Sequence, residues 1–596
     1  MQKNVSFVRG NRYILVSTRR VFSNRFKMSL ITTRSSLLSI LKLPNPGGQR
    51  NSLHRVRFRL PTDIKRIFQN YKSNCNFEEY ESLVSIIRDD DISDSDLLSL
   101  LKEAKNCIPI LNYDLRLFVQ ALNIIRWTNR GDEVVETYKE FINDLVTAHS
   151  QHTKVVMDQL VKLFSNIEDT EWSNYEPVES QKKQFENIHS TLKSIIERVP
   201  LSEDVLLECL SHNFPHLVHK TSFAKQLCYV YNTLKVLSYQ PHLRVNILQI
   251  IIDQLLVRDV HTSRDDIMQA EEQQADLLYE MEVDEDPPLQ RLKHPVADTL
   301  DGIMELLFMF IKSECYDGEK LNQVKCHKLY NELLNMFETA MLPTHSHHIQ
   351  FIMFYICSFE NTLAQKFLKF LWSKAISPNI PPVIRHAAIS YLAGFLARGE
   401  YVLLGYLKNY LTKMGDWINN YISSHRDLSE SNPSAHSVFY FMCQAVFYLI
   451  AFRHEDLVDS RSRLTFLQGL NLSQIITCKL NPLRVCAPEL LERFADVARD
   501  YQLAYCYTII ENNSRNALPV VDSDRNIKTS PVIELYFPFD PLLLPRCHSF
   551  IKPLYREYSS SKCKDMEDVQ VKQSSQGSLY KEGFSPNIST GLSYEN

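Results

Sequence analysis

Apolar residues in this chain return every three or four positions along most of its length, and that spacing leaves room for little besides a stack of helices. Val134, Tyr138, Phe141, Ile142 and Leu145 fall at i, i+4, i+7, i+8 and i+11. Leu192, Ile195, Ile196 and Val199 repeat the stripe, as do Ile303, Leu306, Leu307, Phe310 and Ile311, and then Leu363, Phe367, Phe370 and Leu371. At 3.6 residues per turn each set shares one helix face. No succession of period-two segments competes with it. Pro200, Pro215, Pro241, Pro343, Pro433 and Pro482 punctuate the stripes, as expected where helices stop and restart. Glycine, with 14 of 596 residues, is far below its usual ~7%. The chain is thus short of the tight turns and phosphate-cradling loops that glycine serves.

Pro381-Pro382-Val383-Ile384-Arg385-His386-Ala387-Ala388, leading into Leu392, Gly394 and Leu396, has the form of the second helix of a HEAT repeat. Its small residues let a paired helix approach closely. The expected fold is all-α, a HEAT-repeat-like superhelix of stacked antiparallel helix pairs over residues 62–558. Residues 1–61 are expected to form a disordered basic arm: thirteen Lys and Arg precede the first acid, Asp63. Taken alone, that arm also has the composition of a mitochondrial transit peptide, or of an extension ahead of a start at Met28. Arg264 to Asp286 holds ten acids against one Arg, which predicts a fraying helix end and a mobile acidic loop to about residue 288. Residues 559–596 are polar and Ser-rich, the composition of a disordered tail.

The net charge of −4 demands neither nucleic acid nor membrane as a partner. The 13 cysteines are odd in number, contain no CxxC pair, and include Cys357, Cys443 and Cys506 in apolar runs. They read as reduced, buried thiols. Val438 to Phe452 is apolar, but its roughly fifteen residues fall short of the ~20 that span a bilayer; a buried core helix is expected there.

Searches for catalytic motifs fail one by one. There is no GxGxxG and no GxSxG. Gly394 and Gly399 have P-loop spacing, but Glu400 and Tyr401 stand where Lys and Ser/Thr are needed. His454-Glu455 begins like a zincin helix, yet Val458 replaces the second His. His345, His347 and His348, with Cys326 and His327 upstream, are the densest set of metal-ligand types. Adjacent His347 and His348 would point about 100° apart on a helix, and no fourth ligand follows at a suitable interval. The sequence implies no metal, no cofactor and no catalytic residue.

Several segments, in order, resemble the RNA polymerase I-specific transcription initiation factor family (TIF-IA in animals). They are Val56-Arg57-Phe58, His294-Pro295-Val296-Ala297, Leu342-Pro343-Thr344-His345 and Ile349-Gln350-Phe351-Ile352-Met353-Phe354-Tyr355. Then come Ile384-Arg385 to Leu396-Ala397-Arg398, Cys443-Gln444-Ala445-Val446-Phe447-Tyr448 with Phe452-Arg453-His454, and Leu480-Asn481-Pro482-Leu483. Tyr505-Cys506-Tyr507-Thr508-Ile509-Ile510-Glu511 and Tyr536-Phe537-Pro538-Phe539-Asp540-Pro541 close the set. The resemblance covers roughly residues 55 to 558. It implies a HEAT-repeat factor, not an enzyme, that binds RNA polymerase I near its stalk. It further implies a bridge from the polymerase to the promoter-bound core factor (the TBP-containing selectivity complex in animals), acting in the nucleolus under control by phosphorylation. Weak DNA contact and a homodimer of the free factor stay open. Other HEAT scaffolds, such as a nuclear transport receptor or a phosphatase scaffold, would share the helices but not the ordered matches.

On the HEAT-like helix, Arg385 and Arg398 could meet DNA phosphate or partner carboxylates, or form internal pairs that order the repeat. Tyr536, Phe537, Phe539 and Asp540 lie in a run that Pro538 and Pro541 keep extended. That run either packs back on the helices or joins a docking surface. Ser93, among acids, and Ser585, before Pro586, are phosphorylation candidates, Ser93 being equally suited to cap a helix. Compared with the family pattern, the basic stretch before residue 55 is unusual, the Ser-rich acidic insertion is reduced to about Glu168 to Glu179, and the tail is short.

Overall fold

In the computed structural model the described residues are 63–89, 92–165, 177–216, 222–281, 291–425, 433–515, 520–521, 527–528, 533 and 536–558. The basic arm, the Ser-rich tail with Ser585, most of the stretch from Glu168 to Glu179 and the acidic residues 282–288 lie outside them. The part of the acidic segment that is described, Arg264–Met281, is helical.

Helices account for nearly all regular structure among the described residues, and each apolar stripe faces inward. Val134, Tyr138, Phe141, Ile142 and Leu145 are all at most 2% exposed on the helix Asp132–Ala148. The first helices form two layers. Ile64–Lys72, Asp94–Asn106, Asp132–Ala148 and Glu179–Arg198 each pack on the next. So do Glu78–Asp89, Arg116–Ile124, Thr153–Lys162, Ser202–His212 and Arg244–Val260, while helices of one layer rest on those of the other. This is the stacked helix-pair arrangement of a HEAT-like superhelix. Two short antiparallel ladders, Tyr316–Asp317 with Lys320–Leu321 and Val520–Val521 with Ile527–Lys528, are the only paired strands described.

The second half is built around Pro295–Cys315, which packs against Phe223–Lys235, Arg244–Val260, Gln323–Met336 and Pro545–Ile551. Gly302 makes the first of these approaches possible: a Cβ there would come within 2.8 Å of the Phe223 ring and 2.9 Å of Leu227. Further along, Pro382–Arg398 is wedged between Asn361–Ile376 and Ser437–Val458. From Ala388 to Arg398 every one of its residues is buried, with Ala393, Gly394 and Ala397 keeping the neighbours close. The apolar run Val438 to Phe452 lies inside the helix Ser437–Val458 and is nearly all buried in protein. Among the described residues no helix is long and apolar enough to cross a membrane. Ten of the described cysteines are buried, Cys478 is half-buried and Cys75 is exposed.

Candidate functional site

The segment from Tyr536 to Tyr558 returns across the helices and ties together residues far apart in sequence. Prolines at 538, 541 and 545 deny it a continuous helix, so its side chains hold it in place. Phe539 is fully buried. Its ring lies 5.6 Å from that of Phe351, 5.2 Å from Phe354, 5.7 Å from Tyr391 and 5.9 Å from Phe395, mostly edge to face. Gly394 opens the floor, with Phe539 Cδ2 only 3.3 Å from where a Cβ would sit. Phe537 stacks on Tyr448 at 3.7 Å. Tyr536 lies over His345 at 3.6 Å and donates its hydroxyl to the Ser346 carbonyl at 2.7 Å. Burial pushes the Tyr536 hydroxyl far above its usual titration range. The Gln350 amide donates to the Pro538 carbonyl, and Tyr555 donates to the Phe539 carbonyl at 2.9 Å.

Arginines fasten the rest of this strap. Arg398, 8% exposed, lies over the rings of Phe452 and Tyr555 at 4.4 and 5.3 Å and 3.5 Å from Asp540. Its carbonyl accepts from the Arg556 amide at 2.7 Å. Arg556 in turn pairs with Glu400 and Asp456, both at 2.8 Å. Arg546 pairs with Asp298 at 2.8 Å. The wholly buried Asp301 accepts the amides of Arg546 and Cys547 at 2.9 and 3.0 Å, capping the helix Pro545–Ile551. Burial raises the Asp301 pKa, and those two amides offset part of the rise.

Of the residues singled out from sequence, Arg398, Tyr536, Phe537, Phe539 and Asp540 therefore come together in one strap contact. Arg385 stands apart: half-buried, it donates Nε to the Ala375 carbonyl at 2.8 Å and so ties its helix to the preceding one. Ser93 caps Asp94–Asn106, accepting from the Asp96 amide and donating to the Asp96 carboxylate at 2.7 Å while remaining exposed. Of the three histidines, His345 lies against Tyr536, while His347 and His348 belong to a bend held by a buried acid. Asp259 accepts the amides of His347 and His348 at 2.7 and 2.8 Å and lies 2.9 Å from His348 Nδ1, all fully buried at the acid. Among the described residues no group of three or more His, Cys, Asp or Glu is arranged to hold a metal.

Asp259 and Asp301 are buried acids that the sequence analysis did not single out. A signal was present. Leu248, Ile252, Leu255 and Asp259 form one stripe, and Asp301 shares another with Met304 and Phe308. A charge in register with an apolar stripe is a buried charge with partners elsewhere.

Comparisons with known proteins match the same span. The model of the family "RNA polymerase I specific transcription initiation factor RRN3" matches residues 60–563, strap included. The chain belongs to the RRN3 family. The mouse protein named RNA polymerase I-specific transcription initiation factor RRN3 is 31% identical, over 91% of this chain and 87% of the mouse one. The fission yeast (Schizosaccharomyces pombe) factor of that name is 25% identical over 77% of this chain and 79% of its own. A crystal structure of the RNA polymerase I transcription initiation factor Rrn3 superposes with a TM-score of 0.63 at 20% identity, covering 83% of this chain and 97% of that one. That likeness supports the RRN3 fold found here.

Proposed function

We propose that this RRN3-family chain is an initiation factor of RNA polymerase I. It binds the polymerase near its stalk and bridges it to the promoter-bound core factor, in animals the TBP-containing selectivity complex, so that ribosomal RNA genes are transcribed. The observation that carries this reading is the family match along the whole helical body and its strap. A two-layered stack of helices offers long surfaces for its mass, and two large partners can dock on it at once. Joined through one adaptor, the second encounter becomes a local one. The chain works in the nucleus, at the nucleolus, as an adaptor and not as a catalyst.

Control by phosphorylation fits Ser93, which is exposed among Asp94, Asp96 and Ser95. A phosphate there would add about −1.5 to −2 charges to an already acidic helix start. Arg385 and Asp540, the less buried of the polar candidates, are the ones available to a partner or to DNA; Arg398 and the three aromatics act by holding the strap. The direct test is a transcription extract depleted of this factor and supplied with an rRNA promoter template. Purified protein should restore promoter-dependent transcripts without altering polymerase II or III templates. Failure to restore them, with the protein folded, would refute the proposal.

A further inference from the structure

Between the helices Arg116–Ile124, Thr153–Lys162 and Ser202–His212 lies a groove of about 520 Å³, whose lining includes none of the residues that hold the strap. Two independent features meet there. The first is apolar surface left in solvent. On the helix Arg116–Ile124, Leu117 and Ile124 are 39% and 55% exposed. Seven residues apart, they share one outward stripe that ends at Ile124 in the groove wall. At ~1.5 Å per residue the stripe is roughly 10 Å long, about two helical turns.

The second feature is charge. The acids of the groove, Asp158 and Glu208, are each taken by a lysine at 2.6 Å, Lys162 and Lys154. Arg88, in the groove wall, and Arg116 and Arg126, at the two ends of the apolar helix, are exposed and have no carboxylate partner among the described residues.

We propose that this groove docks an acidic, amphipathic peptide segment of a protein partner. The carboxylates of the segment meet Arg88, Arg116 and Arg126. Its apolar side chains cover Leu117 and Ile124, in the manner of a helix laid in a groove. Nucleic acid fits less well, because Asp158 and Glu208 already neutralise the groove lysines and would repel phosphate, and an apolar stripe has nothing to offer a backbone of phosphates. The proposal rests on the adaptor reading for the kind of molecule that arrives.

The test uses the full-length chain and a fluorescein-labelled peptide of about 15 residues, with Leu on one helical face and Glu on the others, read by anisotropy. Ile124→Glu and Arg88→Glu change exposed side chains, so their melting should match wild type. Each is expected to weaken the peptide about tenfold or more, as loss of an interface anchor does. A Lys-for-Glu version of the peptide should not bind. Equal binding of the Glu peptide by wild type and both folded variants would overturn the proposal. So would displacement of the peptide by an equal concentration of single-stranded RNA, which would make the groove a nucleic-acid site. Co-precipitation of purified RNA polymerase I by wild type, run alongside, separates the two readings. Polymerase captured while the peptide ignores both substitutions overturns the groove alone. No polymerase captured, with peptide binding still dependent on residues 88 and 124, overturns the adaptor reading and leaves the groove assignment standing.

Discussion

Replacing Phe539 with Ala should undock the C-terminal strap. The side chain is fully buried, ringed by Phe351, Phe354, Tyr391 and Phe395. Loss of such a ring costs about 3–5 kcal/mol, the transfer of its surface plus the cavity it leaves. The helices around it keep their own hydrogen bonds, so the loss falls on the strap. Two backbone bonds exist only when the strap is docked: Arg556 N–H to the Arg398 carbonyl at 2.7 Å and Glu400 N–H to the Leu554 carbonyl at 2.9 Å. If release of the strap is the opening that lets these amides exchange, about 4 kcal/mol corresponds to roughly 700-fold faster exchange. Hydrogen–deuterium exchange of F539A, read on fragments covering residues 398–402 and 545–558, measures this directly. The helix Asp132–Ala148 should exchange as in wild type. Acceleration below about tenfold in the strap, or an equal acceleration in Asp132–Ala148, would refute the reasoning: the first would mean that the ring does not hold the strap, the second that the molecule opens as a whole.

Three further outcomes follow from single residues. His189 is buried between Asn232 and Tyr239; the Asn232 amide nitrogen is committed to the carbonyls of Phe164 and Cys228, so its oxygen accepts from His189 Nε2–H and Nδ1 accepts from Tyr239. Desolvation lowers this histidine to about 4, against about 6.5 when unfolded. The unfolded chain then binds the extra proton between those values, so the stabilisation is complete above pH 6.5 and lost as pH falls toward 4. Between pH 7 and pH 5 it amounts to about 2 kcal/mol, and urea unfolding of H189Q should show a pH dependence shallower by that amount. Leu201, at φ +62° and 81% exposed, holds a left-handed conformation for no burial, so Leu201→Gly should raise stability by about 1 kcal/mol in the same assay; a loss would contradict the strain. Gly302→Ala should lower it by about 1–3 kcal/mol although alanine favours helix, because the Cβ meets Phe223 and Leu227; an unchanged or raised midpoint would mean that the two helices have room to part.

The helical stripes were legible in the sequence because burial of a helix face leaves a local record. Leu192 and Ile195 are wholly buried, and so are Leu363, Phe367 and Leu371, while Phe370 and Phe310 are only half so, being at the edges of their stripes. The close-packed character of Pro382–Arg398 was equally plain from its small residues. What decides the strap was not legible: Phe539, Arg546 and Arg556 find partners about 100 to 250 positions away, and no periodicity encodes such a pairing. Arg398 was open to opposite readings for the same reason, since a charged residue ending an apolar helix suits a surface contact until the returning chain covers it. Asp259 and Asp301 lay in plain register with apolar stripes, yet the backbone amides they accept, at His347 and His348 and at the start of the helix Pro545–Ile551, are groups that sequence does not display.

The central claim, that this chain is an RNA polymerase I adaptor, is met most directly by affinity purification of the tagged protein from growing cells, with mass spectrometry of what copurifies. The account predicts RNA polymerase I subunits enriched over those of polymerases II and III, together with core-factor subunits. Transport factors, phosphatase subunits or mitochondrial proteins in their place would contradict it and leave only the fold in common with the family.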